Sequence, residues 1–150
     1  MGMIEQKIAK NRQLVLFTLA DGSEVEGEVF LSLCDARHRG PQRVGELLSG
    51  EECFIPVATA DGMVHLNISN IVMARTSEKS DWVELEQLGK KYFVRIATLL
   101  GEVAGEVFVN LPQYTSRVSD YLNQPERFFR VFMQEHIVYV GARFILSVRD

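Results

Sequence analysis

The feature that most limits how this chain can fold is an internal repeat. The segment Glu24-Val25-Glu26-Gly27-Glu28-Val29-Phe30-Leu31-Ser32-Leu33 aligns with Glu102-Val103-Ala104-Gly105-Glu106-Val107-Phe108-Val109-Asn110-Leu111, identical at seven of ten positions with an offset of 78. After a loop the match resumes at an offset of 74. There Arg43-Val44-Gly45-Glu46-Leu47-Leu48 meets Arg117-Val118-Ser119-Asp120-Tyr121-Leu122, Phe54 meets Phe128, and Val57 meets Val131. The segments Ile71-Val72-Met73-Ala74-Arg75 and Ile145-Leu146-Ser147-Val148-Arg149 close the two copies at the same offset. A single four-residue indel in one loop accounts for the change of offset. Self-similarity at such a period marks a tandem architecture. The expected domains are residues 1–78 and 79–150, each at the lower end of what supports its own core.

Within a copy, apolar residues alternate as in half-buried strands. Val15, Phe17 and Leu19 lead to the turn signal Asp21-Gly22. The next strand sets Val25, Gly27, Val29 and Leu31 on one face, and Glu24, Glu26, Glu28 and Phe30 on the other. Alternate glutamates describe a solvated face more simply than a catalytic cluster, and Ala104 replaces the middle one in the second copy. Gly27 and Gly105 stand in mid-strand on the inward face, where a glycine marks a bend or close backbone approach. A single helical turn follows, capped by Ser119-Asp120, with Val118, Tyr121 and Leu122 on one face and a stop at Asn123-Gln124-Pro125. Its counterpart is Val44, Leu47 and Leu48, ending at Ser49-Gly50. Further strands are expected over 53–59, 63–68 and 71–76, then 127–133, 136–141 and 143–149. Pro56 implies an edge position or a bulge. Ile4 and Ile8 before the first copy, and Trp82, Leu85 and Leu88 in the linker 76–91, are spaced for short helices.

A short helix, five strands, a glycine-bent second strand and a length near 75 residues resemble an Sm-like small β-barrel. Arg117-Val118-Ser119-Asp120-Tyr121-Leu122-Asn123, with Phe128-Phe129-Arg130-Val131 after it, also resembles a poorly characterised bacterial domain family with an R-x-S-D-x-L-N signature and an Sm-like fold. The resemblance covers most of the second copy; the first retains Arg43-Val44-Gly45-Glu46-Leu47-Leu48-Ser49. It implies a mainly β chain of two tandem Sm-like five-stranded barrels. A short helix precedes each barrel, and one helical turn lies between its second and third strands. RNA binding does not carry over. The Asp and Asn that Sm proteins place soon after the bent strand are absent, as is their Arg-Gly or Lys-Gly near the fourth strand. Asn67-Ile68-Ser69-Asn70 and Gly141-Ala142-Arg143-Phe144 stand there instead.

Composition narrows the function classes. Of 150 residues 47% are hydrophobic and 24% charged, the balance of an ordinary folded protein and not of a disordered chain or a rod. No apolar run approaches the roughly 18 to 20 residues that span a bilayer. The N-terminus lacks the apolar core of a secretory signal, and Gln6 breaks the myristoylation pattern. Cys34 and Cys53 make no disulfide framework, which fits a reducing compartment; a cytoplasmic protein is expected, with no membrane partner. Cys53 reads as a small core residue. Only Cys34 and His38 lie close together, and two ligands do not make a zinc site, so no metal or cofactor is expected.

The leading functional expectation is a non-enzymatic assembly or interaction module that self-associates through strand edges, which pair readily with neighbours. Two barrels paired within a chain would leave one complementary edge at each end, and three chains would close a six-barrel ring. The simpler alternative is a two-barrel monomer whose edges are capped by helix and bulge. Another alternative is RNA or nucleotide binding through the loop 34–43, where Arg37, His38, Arg39 and Arg43 gather, with Arg117 as the repeat counterpart of Arg43. A net charge of −4 and the lack of an aromatic residue in that loop argue against it. Arg39-Gly40-Pro41-Gln42-Arg43 and Asn67-Ile68-Ser69 also match part of the R-x-x-x-R and N-x-S-x-x-G pattern of PilZ-type cyclic-dinucleotide receptors, but Val72 replaces the required glycine. No catalytic motif occurs, and no catalytic residue is assigned. Phe30 and Phe108 point away from the Val/Gly face at matching positions. They are candidates either for packing beneath the helix of their own copy or for an interface.

Overall fold

The computed structural model describes residues 10–32, 42–77, 89–112 and 117–150. The helices expected around residues 4–8 and 82–88, and the boundary between 78 and 79, lie outside the described residues.

The first copy contributes β1 (Lys10–Leu19), β2 (Glu24–Ser32), the helical turn α1 (Val44–Leu48), β3 (Phe54–Thr59), β4 (Gly62–Asn67) and β5 (Ile71–Thr76). The second contributes β6 (Lys90–Thr98), β7 (Gly101–Val109), α2 (Val118–Leu122), β8 (Phe128–Phe132), β9 (Ile137–Gly141) and β10 (Ile145–Arg149). A single 3-10 turn, Ile68–Asn70 or Ala142–Phe144, precedes the last strand of each copy. It takes Ile68 in the first copy, and Arg143 and Phe144 in the second, from the strands expected there. All ten strands form one open antiparallel sheet in the order β10-β6-β7-β8-β9-β5-β1-β2-β3-β4. Each copy therefore has the same internal order, with its fifth strand outside its first, and the two sets join where β5 pairs with β9.

The repeat extends to register. Glu28 opposes Ala58 in the first copy and Glu106 opposes Phe132 in the second, so both sequence offsets reappear as one contact. The Ile68 amide donates to the Cys53 carbonyl at 2.9 Å, and the Ala142 amide donates to the Arg127 carbonyl at 2.9 Å. A side chain on Gly27 would bring its Cβ within 2.5 Å of the Ala58 carbonyl oxygen; on Gly105, within 2.7 Å of that of Phe132. The mid-strand glycines thus mark a close backbone approach between the second and third strands.

The predicted faces of β2 hold. Val29, Leu31 and Gly27 are buried, while Glu24 and Glu26 are exposed. The glutamates form a solvated face with twin diagonal ion pairs, Arg12–Glu28 at 3.4 Å and Lys91–Glu106 at 3.5 Å. At such exposure each pair contributes at most about 1 kcal/mol.

Three local expectations are corrected. Cys53 is exposed, not in the core. Pro56 lies in a strand with neighbours on both sides, but the β2 ladder is confined to Glu28 opposite Ala58, so little is asked of the missing amide hydrogen. The N-cap of α2 is Arg117, and Asp120 occupies the third helical position, accepting from the Arg117 amide at 3.3 Å.

Two apolar cores flank the join. The first contains Val15, Phe17, Val29, Leu31, Leu48, Ile55 and Ile71, completed by Phe128, Phe132, Ile137 and Tyr139 from the second copy. The second is built from Val94, Ile96, Val103, Val107, Val109, Val118, Val131, Val138 and Val140. Alternation along β9 sends Ile137 and Tyr139 into the first core and Val138 and Val140 into the second.

Candidate functional site

The described part of the molecule contains one strand-to-strand seam between copies. It pairs Met73 with Val140, Ala74 with Tyr139, Arg75 with Val138 and Thr76 with Ile137. Tyr139 is fully buried, and Gly45 of α1 makes room for it: a Cβ there would lie 2.7 Å from the Tyr139 ring. Gly141 has the same function at the other end, where a Cβ would come within 2.6 Å of the Ile71 carbonyl oxygen. Two arginines of the second copy tie the seam to the first. The Arg127 guanidinium donates to the Gly50 carbonyl at 3.1 Å, and that of Arg143 donates to the Ser69 carbonyl at 3.1 Å.

Beside the seam lies a cleft of about 530 Å³, lined by Arg43 and Glu46 from the first copy and by Phe108, Tyr121, Phe128 and Arg130 from the second, among others. Among the sequence candidates, Arg43 and Phe108 converge here. Phe108 is half-buried, meets Phe132 edge-on at a ring separation of 5.0 Å, and packs against the first core. Phe30, its repeat twin, is half-buried with the Arg12 guanidinium 5.3 Å above its ring, and does not line the cleft.

Arg43 and Arg117 are the N-cap residues of α1 and α2. The Arg43 amide donates to a Glu46 carboxylate oxygen at 2.7 Å. Arg117 holds Asp120 by two guanidinium hydrogen bonds, at 3.0 and 3.3 Å. That pairing keeps the Asp120 carboxyl below the ordinary carboxylate value and raises Arg117. Burial pushes the Tyr121 hydroxyl up, so it stays neutral in the cleft wall. Both arginines thus already serve the start of a helix. Arg37, His38 and Arg39 lie outside the described residues.

Among the described residues, the terminal strands of the sheet, each with one strand neighbour, are β4 and β10. They are the repeat twins of β9 and β5, the two strands that pair in the seam. In the seam, Ile137 is 0% and Val138 1% exposed; their twins Met63 and Val64 on β4 are 54% and 37% exposed. Val72 on β5 is 0% exposed, and its twin Leu146 on β10 is 65%. Phe128 is 8% exposed and Phe54 is 55%. Sequence reading missed Tyr139, Gly45 and Gly141 as the residues that shape the seam. A signal was present in the aligned pairs, where Gly45 faces Ser119, Tyr139 faces His65 and Gly141 faces Asn67.

Among the described residues no group of three or more His, Cys, Asp or Glu side chains could hold a metal ion, and no helix is long and apolar enough to cross a membrane. No family model, characterised protein or solved structure matches the chain.

Proposed function

We propose that this protein is a non-enzymatic assembly module: a tandem pair of Sm-like small barrels that associates with further chains through its strand edges. One observation carries the reading. The chain already pairs the fifth strand of one copy with the fourth strand of the other, and the two edges left over among the described residues are again a fifth strand and a fourth strand. An interface that joins unlike surfaces head to tail repeats, and makes a ring where its rotation closes. Three chains then make the six-barrel ring.

Bulges blunt strand edges in many sheets, and β10 has one between Ile145 and Ser147. The equivalent irregularity in β5, at Thr18 and Leu19 on the β1 side, does not stop β5 from pairing with β9. A bulge at this place is therefore compatible with a strand neighbour.

The test is size-exclusion chromatography with light scattering and dual-wavelength absorbance, on untagged, nuclease-free protein, at low and high salt. The expected result is a mass of three chains with a protein-only spectrum. A one-chain mass at every concentration overturns the reading. Absorbance at 260 nm that co-elutes and is lost at high salt replaces it with nucleic-acid binding through the 34–43 loop, because phosphate contacts weaken steeply with salt.

A further inference from the structure

Resting on the edge-pairing reading, we infer that the occupant of the free edges is a second copy of this chain in one definite register. The β10 strand of one copy receives β4 of the next, with Ser147 opposite Leu66, Val148 opposite His65 and Arg149 opposite Val64. This junction opens more readily than the seam inside the chain.

The register follows from the seam. Shifting each pair Met73–Val140, Ala74–Tyr139 and Arg75–Val138 by the repeat offset of 74, up for one partner and down for the other, yields the three pairs above. A slip of one residue would turn every side chain of the added strand to the wrong face. The large apolar side chains on the free edges sit where this register needs them. Met63 and Val64 on β4, Phe54 on the adjoining β3, and Leu146 on β10 account for four of the eight exposed large hydrophobic side chains among the described residues. Each is the twin of a residue that the seam buries. A second copy covers all four with surfaces already complementary within the chain; an unrelated partner would have to reproduce both edges.

The two junctions differ at the positions that make the seam tight. Gly141 touches the β5 backbone through its missing side chain, and its twin Asn67 brings a Cβ to that contact, so the backbones must stand further apart. The twins of Arg127 and Arg143 are Cys53 and Ser69, which remove both guanidinium ties. Tyr139 in its Gly45 recess becomes His65 facing Ser119, a smaller ring beside a larger neighbour. The result is a fixed pair of copies within each chain and a concentration-dependent junction between chains.

The experiment uses the full chain with Cys34→Ser and Cys53→Ser, so that only introduced thiols react. Arg149→Cys with Val64→Cys places two thiols opposite each other across the proposed junction, within the Cα separations that a disulfide bridges. Mild oxidation should give interchain crosslinks. Arg149→Cys with His65→Cys, one residue out of register, should give few. Leu146→Glu, at an exposed position, should lower the assembled fraction with an unchanged melting temperature at dilute, one-chain concentration. Asn67→Gly, which removes the obstructing Cβ, should lower the dissociation midpoint about tenfold. Assembly of wild-type protein without in-register crosslinks overturns this inference and leaves edge pairing standing. An unchanged midpoint in Asn67→Gly overturns the account of why the junction is loose. A single-chain mass throughout overturns both this inference and the assembly reading.

Discussion

The two copies follow the same path but do not enclose comparable cores. The first is filled by large side chains, Phe17, Leu48, Ile55 and Ile71, and takes a further wall of Phe128, Phe132, Ile137 and Tyr139 from its neighbour. The second packs eight valines, Val94, Val103, Val107, Val109, Val118, Val131, Val138 and Val140, with Ile96. The strand between them, β9, is buried along its whole length, while β4 at the same place in the first copy keeps only Leu66 buried. Both strands carry apolar residues. Their different burial comes from what lies across the edge: β5 for one, solvent for the other.

The comparison breaks most sharply at the pair of strand positions 139 and 65. Tyr139→Ala should remove roughly 3 to 5 kcal/mol of stability, because it empties a site walled by both copies. His65→Ala should change stability by less than about 0.5 kcal/mol in the single chain, since that position is exposed. Urea unfolding at dilute concentration measures both. Equal losses would mean that the two positions share an environment after all.

Next come the bends. Gly27→Ala and Gly105→Ala each push a Cβ into a backbone carbonyl across the sheet, which costs about 1 to 3 kcal/mol. Similar losses are expected in the two copies, because the obstructing groups are twins; loss in only one would show that a single copy can relax there. A smaller effect belongs to Arg127→Ala, which removes the guanidinium donor to the Gly50 carbonyl. A loss of about 0.5 to 1.5 kcal/mol is expected. It should fall on the seam, seen as faster amide exchange in α1 and β9 than in β3 and β4.

The smallest effect concerns the helix starts. The Asp120 carboxyl is held below its ordinary value by Arg117, so its folded-state pKa is depressed. Its contribution is then present at neutral pH and is lost as pH falls through that depressed value. Asp120→Asn should lower the melting temperature slightly at pH 7, and the difference from wild type should vanish in strong acid. A difference that persisted in acid would assign the loss to the side chain's shape and not its charge.

Much of the fold could be read in advance. The repeat, the strand alternation, the helical turns and the close approach at Gly27 and Gly105 are all local or self-similar signals. The candidate site was legible only in fragments. Arg43 and Phe108 both line the cleft, whereas Arg117 and Phe30 do not. Cys53 misled because its apolar neighbours in sequence, Phe54 and Ile55, occupy opposite faces of a strand. Asp120 misled by three positions at the cap, because a carboxylate three residues into a helix satisfies the same amide region as one before it.

Sequence alone determined which residues alternate toward a core, where the chain turns, and that whatever one copy forms the other forms too. Those properties depend on side-chain period and backbone sterics within a few residues, so they repeat with the text. Tertiary structure decided which twin is buried. A strand edge has no neighbour until the chain supplies one, and only docking of β9 on β5 turned Ile137, Tyr139 and Val72 into core while Met63, His65 and Leu146 stayed in solvent.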